Sequence, residues 1–383
     1  MRFLHTADWH LGRIFHQAQL AEDQAHVLDQ IEALAISEKV DAILVAGDLY
    51  DRAVPPLEAV TLLDRTWKRL VHDAGIPVVA ITGNHDSAVR MNFASALLAK
   101  SGLHLVSQLE AATKPITIKG VDIFALPYSE PIEVRLWSGR DEVRDHATAL
   151  KVCLERMRPN FTSRPRVLVA HAFVAGKSPR ESERPLSVGG AGEVPAELFG
   201  DFDYVALGHL HAPQVVSGKC LYAGSPLKYS FSEAADEKSV LIVDMPESGA
   251  PAVRLAMLKP KRNVRDIEGK LDEVLARGRE DPAKDDFVRA RLTDEGALLN
   301  AMGRLREVYP NVLLLERKFL QTGDQPMARG AARKQSSDVD LFRSFFQQVS
   351  GSLPTAEDEA VLGKMLNAMS REARETSEVE TAP

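Results

Sequence analysis

The stretch Asp41-Ala42-Ile43-Leu44-Val45-Ala46-Gly47-Asp48-Leu49-Tyr50-Asp51 decides the fold. Its first half is a continuous apolar run of strand length, the pattern of a strand buried on both faces rather than on one. Its second half is a glycine turn that presents two carboxylates. The same construction recurs along the chain. Residues 2–7 run into Asp8-Trp9-His10, residues 78–82 into Gly83-Asn84-His85-Asp86, residues 167–170 into His171, and residues 204–207 into Gly208-His209-Leu210-His211. Two helices are expected between the first three strands. One covers residues 22–39, with Val27, Leu28, Ile31, Leu34 and Ala35 on one face. The other covers residues 57–73 and is entered through Pro55-Pro56. A hairpin around Lys119-Gly120 (residues 116–125) and a strand at 240–243 complete an α/β layered core, in which ligands gather at the carboxyl ends of strands.

Composition narrows the class. The chain has 383 residues, 45% of them apolar, enough for one large domain with appendages. Cys153 and Cys220 are the only cysteines, which excludes a disulfide framework and a cysteine-built zinc site. No apolar run approaches the roughly 18 residues a membrane span needs. The N-terminus reads as a strand rather than a signal peptide, so a reducing, cytoplasmic home is expected. The net charge of -7 is uneven: from Asp338 to Pro383 nine acidic residues face four basic ones, a net of -5, leaving -2 for the rest. A nearly neutral body that binds divalent cations can still accept a phosphate-bearing substrate.

The five strand-end motifs supply imidazole and carboxylate or amide oxygen donors without a thiolate. That mixture suits Mn, Fe or Zn over Ca, and two such ions about 3.5 to 4 Å apart can activate water and stabilise a developing phosphoryl charge. In an extended segment residues i and i+2 point the same way, so Asp8 is expected beside His10 and His209 beside His211. Glycines 47, 83 and 208 stand where the backbone turns tightly or approaches an anion. Taken singly, each motif has an ordinary structural explanation, as a cap, a turn or a buried histidine. Five in this order, each at a strand end, do not.

The order D-x-H, GDxxD, GNH[DE], His, GHxH resembles the calcineurin-like metallophosphoesterase superfamily. HTADWHLG (5–12), VAGDLYD (45–51), ITGNHDS (81–87), YVALGHLHAPQ (204–214) and YAGSPLKYSFSE (222–233) resemble its bacterial DNA-nuclease subunits. The resemblance implies a four-layer αββα sandwich with a small α/β capping domain and a C-terminal helical pair. It implies Asp48 as a carboxylate bridging two divalent ions, most naturally Mn. Asp8, His10 and His211 complete one ion, and Asn84, His171 and His209 the other. His85 is implied as the catalytic histidine, with Asp51 and Asp86 orienting the ligands. The implied activity is double-strand exonuclease and single-strand or hairpin endonuclease on DNA, in a homodimer. His171 lacks the glycine that precedes it in many relatives, so its assignment rests on strand position and order. Phosphoprotein phosphatases of the superfamily read GDxxDRG and GNHE, whereas here Ala53 follows Arg52 and Asp86 ends the third motif, which favours a nuclease.

The domain expectation is a catalytic domain over 1–260, a capping domain over 261–321, a flexible linker over 322–337, a helix-loop-helix partner-binding segment over 338–372 and a disordered tail over 373–383. Gly176-Lys177-Ser178 ends like a phosphate-binding loop, but His171 stands where its first glycine belongs. With no ATPase of its own, the chain is expected to meet a coiled-coil ATPase, as the resemblance implies, through its terminal helices. Arg13, Arg52, Arg90, Lys228, Lys259, Lys261, Arg262 and Arg265 are basic residues able to meet phosphates, without individual assignment. Two rival readings are a small-molecule phosphodiesterase or phosphatase of the same fold and a mainly scaffolding DNA-end-binding subunit.

Overall fold

The computed structural model describes residues 1–162, 165–183, 192–247 and 249–317, with scattered positions between 343 and 361. The chain divides into two compact units, Met1–Arg265 and Asp266–Pro383.

In the first unit the chain runs through β1 (Arg2–Thr6), α1 (Ala21–Ser37), β2 (Ala42–Ala46), α2 (Leu57–Trp67), β3 (Val78–Ile81) and β4 (Leu103–Val106). It continues through β5 (Ile116–Ile118), β6 (Val121–Leu126), α3 (His146–Met157), β7 (Arg166–His171) and β8 (Tyr204–Gly208). It ends with β9 (Gln214–Ser217), β10 (Cys220–Tyr222), β11 (Ser239–Asp244) and β12 (Ala252–Met257). Two six-stranded sheets result, in the orders β12-β11-β1-β2-β3-β4 and β9-β10-β8-β7-β6-β5. The central strands are parallel: β1, β2, β3 and β4 in the first sheet, and β6, β7, β8 and β10 in the second. Antiparallel β11 and β12, β9, and β5 close the edges. Parallel strands buried on both faces explain the unbroken apolar runs. One core joins Leu44, Val79 and Ile81 of the first sheet to Phe124, Val167, Val169 and Ala206 of the second, and includes Leu150 and Cys153 of α3. A second packs Leu28 and Ile31 of α1 and Leu62 and Leu63 of α2 on Ile43, Val45 and Val78. These are the layers of an αββα sandwich.

Helix α1 has Glu22 and Asp23 in its first turn, favourable to the partial positive charge there, and buries Val27, Leu28, Ile31 and Ala35. The helix expected over 57–73 changes at Lys68 into a π-helical segment, Lys68–Asp73, that keeps Leu70 buried.

The second unit carries a three-stranded sheet of β13 (Val264–Gly269), β14 (Phe287–Leu292) and β15 (Val312–Arg317), with α4 (Leu271–Glu280) and α5 (Ala301–Arg306). Val274, Val288, Ala290, Leu292 and Leu305 form its core. The sequence over 297–308 reads as one helix, but α5 starts only at Ala301, because Asn300 takes a left-handed φ of 48° immediately before it. The expected linker, tail and most of the helical pair lie outside the described residues. Among the described residues no helix is long and apolar enough to cross a membrane.

Candidate metal centre

At the first motif the strand ends before the chemistry begins, whereas His171 is the last residue of β7. β1 stops at Thr6, and Asp8 and His10 follow with φ of 54° and 44°. Asp48 and His209 likewise take positive φ, 50° and 103°. The expected extended alternation therefore does not orient Asp8 with His10 or His209 with His211; left-handed turns do. Non-glycine residues held there store strain of about 1 to 3 kcal/mol each, which the surrounding structure offsets. The turns are clamped by hydrogen bonds. Asp8 N donates to Gly47 O at 3.0 Å and His10 N to Asp48 O at 2.9 Å, tying the first two motifs together. His209 N donates to both Asp8 oxygens at 3.0 and 3.1 Å. At Gly83 the requirement is space: an added Cβ would stand 2.1 Å from Asp48 Oδ1.

Asp8, His10 and His211 approach one another as one group of candidate ligand atoms, and Asp8, Asp48 and His171 as another. Asp48 Oδ2 lies 3.6 Å from His10 Nε2, 3.6 Å from His171 Nε2 and 4.0 Å from His85 Nε2. Asn84 Oδ1 meets His171 Nε2 at 2.9 Å, and the His209 ring centroid stands 5.3 Å from that of His171.

The protons can be placed. His171 Nδ1 donates to Ala46 O at 2.9 Å, and burial lowers this ring to about 4, so Nε2 keeps its lone pair toward the oxygen of Asn84. His211 Nδ1 faces the Ser182 hydroxyl, which itself donates to Glu233 Oε1 at 2.6 Å. Nδ1 is thus the donor, and Nε2 presents its lone pair 3.0 Å from His10 Nε2. His10 Nδ1 is buried without a hydrogen-bond partner, with Asp51 Oδ1 at 3.7 Å. Lone pairs facing lone pairs fit a divalent cation. One bound between His10 and His211 would take both Nε2 atoms and leave His10 Nδ1–H for Asp51. Burial, then the charge of Asp48, raises the Asp8 carboxyl well above its usual range. Burial, then neighbouring histidines, lowers His10 and His209 well below theirs, so the imidazoles are neutral donors.

His85 is oriented differently. Its backbone N donates to Asp48 Oδ1 at 2.9 Å and its Nδ1 donates to Asp51 O at 2.8 Å, so Nε2 faces the cluster. Asp86 accepts from Leu49 N, Tyr50 N and Gly83 N at 3.0, 2.9 and 2.9 Å, holding the second and third motif loops together. Burial, then Asp48, pushes its carboxyl up to about 7 against these bonds.

Several residues here carry no motif. Gln24 on α1 donates to His10 O at 2.7 Å. Arg13 turns inward, reaching Asp51 Oδ1 and Ser182 O at 3.1 Å each and lying over the Tyr229 ring. Lys228 is held by Ala234 O at 2.6 Å, and Arg262 pairs with Asp23. Arg52 and Arg90 remain exposed. Tyr229 and Glu233 lie within a stretch that resembles the family, yet nothing in their residue types announces a role.

A family model described as "Calcineurin-like phosphoesterase" matches residues 1–213, and one described as "Type 5 capsule protein repressor C-terminal domain" matches residues 260–350. The chain is 35% identical over 317 residues to the SbcD subunit of the nuclease SbcCD of Staphylococcus epidermidis, covering 82% of this chain and 85% of that protein. It is 32% identical over 375 residues to the protein of the same name in Staphylococcus saprophyticus, covering 97% and 99%.

Proposed function

The chain belongs to the calcineurin-like phosphoesterases, among the SbcD subunits of SbcCD nucleases, and from that premise we propose how its centre acts on DNA. It is a metal-dependent phosphodiester hydrolase, a nuclease subunit acting with an SbcC-type coiled-coil ATPase. The observation that carries the assignment of the centre is the gathering of three imidazoles from three separate motifs around one oxygen, Asp48 Oδ2, at 3.6 to 4.0 Å.

In this reading Asp48 would be shared by two divalent ions, most naturally Mn, with Asp8, His10 and His211 holding one and Asn84, His171 and His209 the other. Such ions activate water and neutralise charge on the scissile phosphate. The chain's residues supply the rest. Backbone carbonyls hold the rings of His171 and His85 in one tautomer each. Asp86 fixes the loops that carry Asp48 and His85. His85, tethered through its own amide to Asp48 and donating Nδ1–H to Asp51 O, would act from its doubly protonated form, giving the Nε2 proton to the departing oxygen and returning to the Nδ1–H tautomer. The substrate is DNA, cut as duplex from its ends and as hairpin or single strand internally, in end processing, repair and recombination. The segment over 338–372 docks the ATPase. A second copy of the chain is the expected further partner: Val54, Leu57, Val89, Phe93 and Leu97 are large apolar side chains left 62 to 84% exposed.

The test uses the full chain alone, with Mn or Mg and labelled linear duplex, hairpin and single-stranded DNA, beside bis-p-nitrophenyl phosphate. A chelator control and an Asp48→Ala variant run in parallel. Mn-dependent DNA cleavage lost in the variant is expected. Hydrolysis of the small diester with all three DNAs left intact, with and without SbcC and ATP, would replace this reading by that of a small-molecule phosphodiesterase.

A further inference from the structure

The His211 side of the centre rests on a buried polar relay that lies outside the five strand-end motifs. Ser182, Glu233 and Lys238 are 8%, 0% and 5% exposed. The Ser182 hydroxyl accepts from His211 Nδ1 at 2.8 Å and donates to Glu233 Oε1 at 2.6 Å. Lys238 Nζ donates to Glu233 Oε2 at 2.5 Å, to Ser225 Oγ at 3.0 Å and to His211 O at 2.8 Å. Glu183, next in the chain, accepts the His211 backbone N–H. Both ends of His211 are therefore held from the segment that carries Ser182. That segment is itself anchored, since Arg180 reaches Asp236 at 2.7 and 2.9 Å.

His171 and His85 are oriented by backbone carbonyls, which no substitution of a side chain removes. His211 depends on a hydroxyl whose own proton is committed to a carboxylate. The direction of that commitment matters. A serine donating to Glu233 can only accept from His211, so Nδ1 keeps its hydrogen and Nε2 is the ligand atom. Lys238 Nζ stands at the other oxygen of Glu233, 2.5 Å away, so the carboxylate that takes the serine hydrogen has a buried counter-charge beside it.

We propose that Ser182, backed by Glu233 and Lys238, is a positioning residue that fixes the His211 tautomer and so sets the affinity of one of the two metal sites and not the other. This rests on the two-metal reading of the centre. It makes the placement of the Ser182 segment and the occupancy of the His10–His211 site parts of one equilibrium.

The test is Mn binding to the full chain, followed by calorimetry and by electron paramagnetic resonance, which separates coupled ion pairs from single ions. Wild type binds two ions. Ser182→Ala is expected to weaken one of them by about ten- to a hundredfold and to replace the coupled-pair spectrum by that of a single ion at limiting Mn. The other site keeps its affinity, and Ser182→Thr, which retains the hydroxyl, keeps the pair. Glu233→Gln should act like Ser182→Ala. If it fails to fold for want of an anion beside Lys238, the Ala and Thr variants at 182 decide alone. Both sites unchanged in Ser182→Ala, or equal loss in Ala and Thr, overturns the relay. Wild type binding fewer than two ions overturns the two-metal reading and the relay with it.

Discussion

Gly208 offers the sharpest single perturbation, because β8 of the second sheet there meets the end of β2 of the first. A Cβ built on Gly208 would stand 1.8 Å from Ala46 O, 2.9 Å from its carbonyl carbon and 3.0 Å from His171 Nδ1. Against normal packing the first distance is short by roughly 1.5 Å. The obstacle is backbone of a central strand, which no rotamer change relieves. The same carbonyl accepts from His171 Nδ1 at 2.9 Å, so moving it also frees the His171 ring. Overpacking usually costs about 1 to 3 kcal/mol, and a clash with fixed backbone belongs at or above the top of that range. At about 2 to 4 °C per kcal/mol for a domain of this size, Gly208→Ala should melt roughly 6 to 12 °C below wild type. Gly218→Ala is the control: nothing lies within 4 Å of its Cβ position, and its φ is not left-handed. Its change should stay within about 0.5 kcal/mol. The assay is thermal denaturation in chelator, which removes stabilisation by bound metal, followed by Mn binding to the folded variant. A Gly208→Ala protein that melts with wild type and binds Mn with unchanged affinity would refute the argument from sheet separation.

His85→Gln should cut DNA cleavage by about 10² to 10⁴ while Mn stoichiometry stays at the wild-type value; unchanged turnover in the metal-loaded variant removes His85 from catalysis. His5 accepts from Tyr204 OH through Nδ1 at 2.9 Å and donates to Leu207 O through Nε2 at 3.2 Å, and burial lowers it to about 3. Unfolded, it takes its proton near 6.5. The unfolded chain thus binds more protons between those values. The contribution is complete above about pH 6.5 and is lost as pH falls toward 3, by up to about 1.4 kcal/mol per unit. Denaturant titrations in chelator should show a shallower acid limb for His5→Gln, and an identical limb would contradict this. Phe93→Glu, at a side chain 84% exposed, should leave the melting temperature of the folded chain unchanged and shift its sedimentation from dimer to monomer; a wild-type chain already monomeric at micromolar concentration would count against the apolar surface as a dimer face.

What the sequence made legible were the central strands, since a parallel strand buried on both faces leaves an unbroken apolar run, and the motifs after them, since glycine, aspartate and histidine are rare neighbours of such runs. The backbone of those motifs was not legible. Asp8 and His10 look like an extended pair by spacing and are two left-handed residues in the fold. Asn300 shortened a helix whose apolar period began earlier, because a positive φ at one residue stops a helix that side-chain pattern alone would continue. The Ser182 relay stayed hidden for another reason. Its members Ser182, Glu233 and Lys238 are 29, 22 and 27 residues from His211 in the chain, joined only by the fold, and serine, glutamate and lysine are ordinary surface residues until burial gives them a task.

The left-handed turns at Asp8, His10, Asp48 and His209 give the centre an energetic history. Conformational cost at these positions is met once, when the sheets assemble around them, and is already spent when a cation arrives. On the two-metal reading, ligation would then proceed on a frame that has little left to rearrange, and the stability forgone in folding would reappear as metal affinity. For this architecture heat resistance and metal affinity draw on the same backbone angles. A chain relieved of that strain would fold more firmly and hold its ions less well.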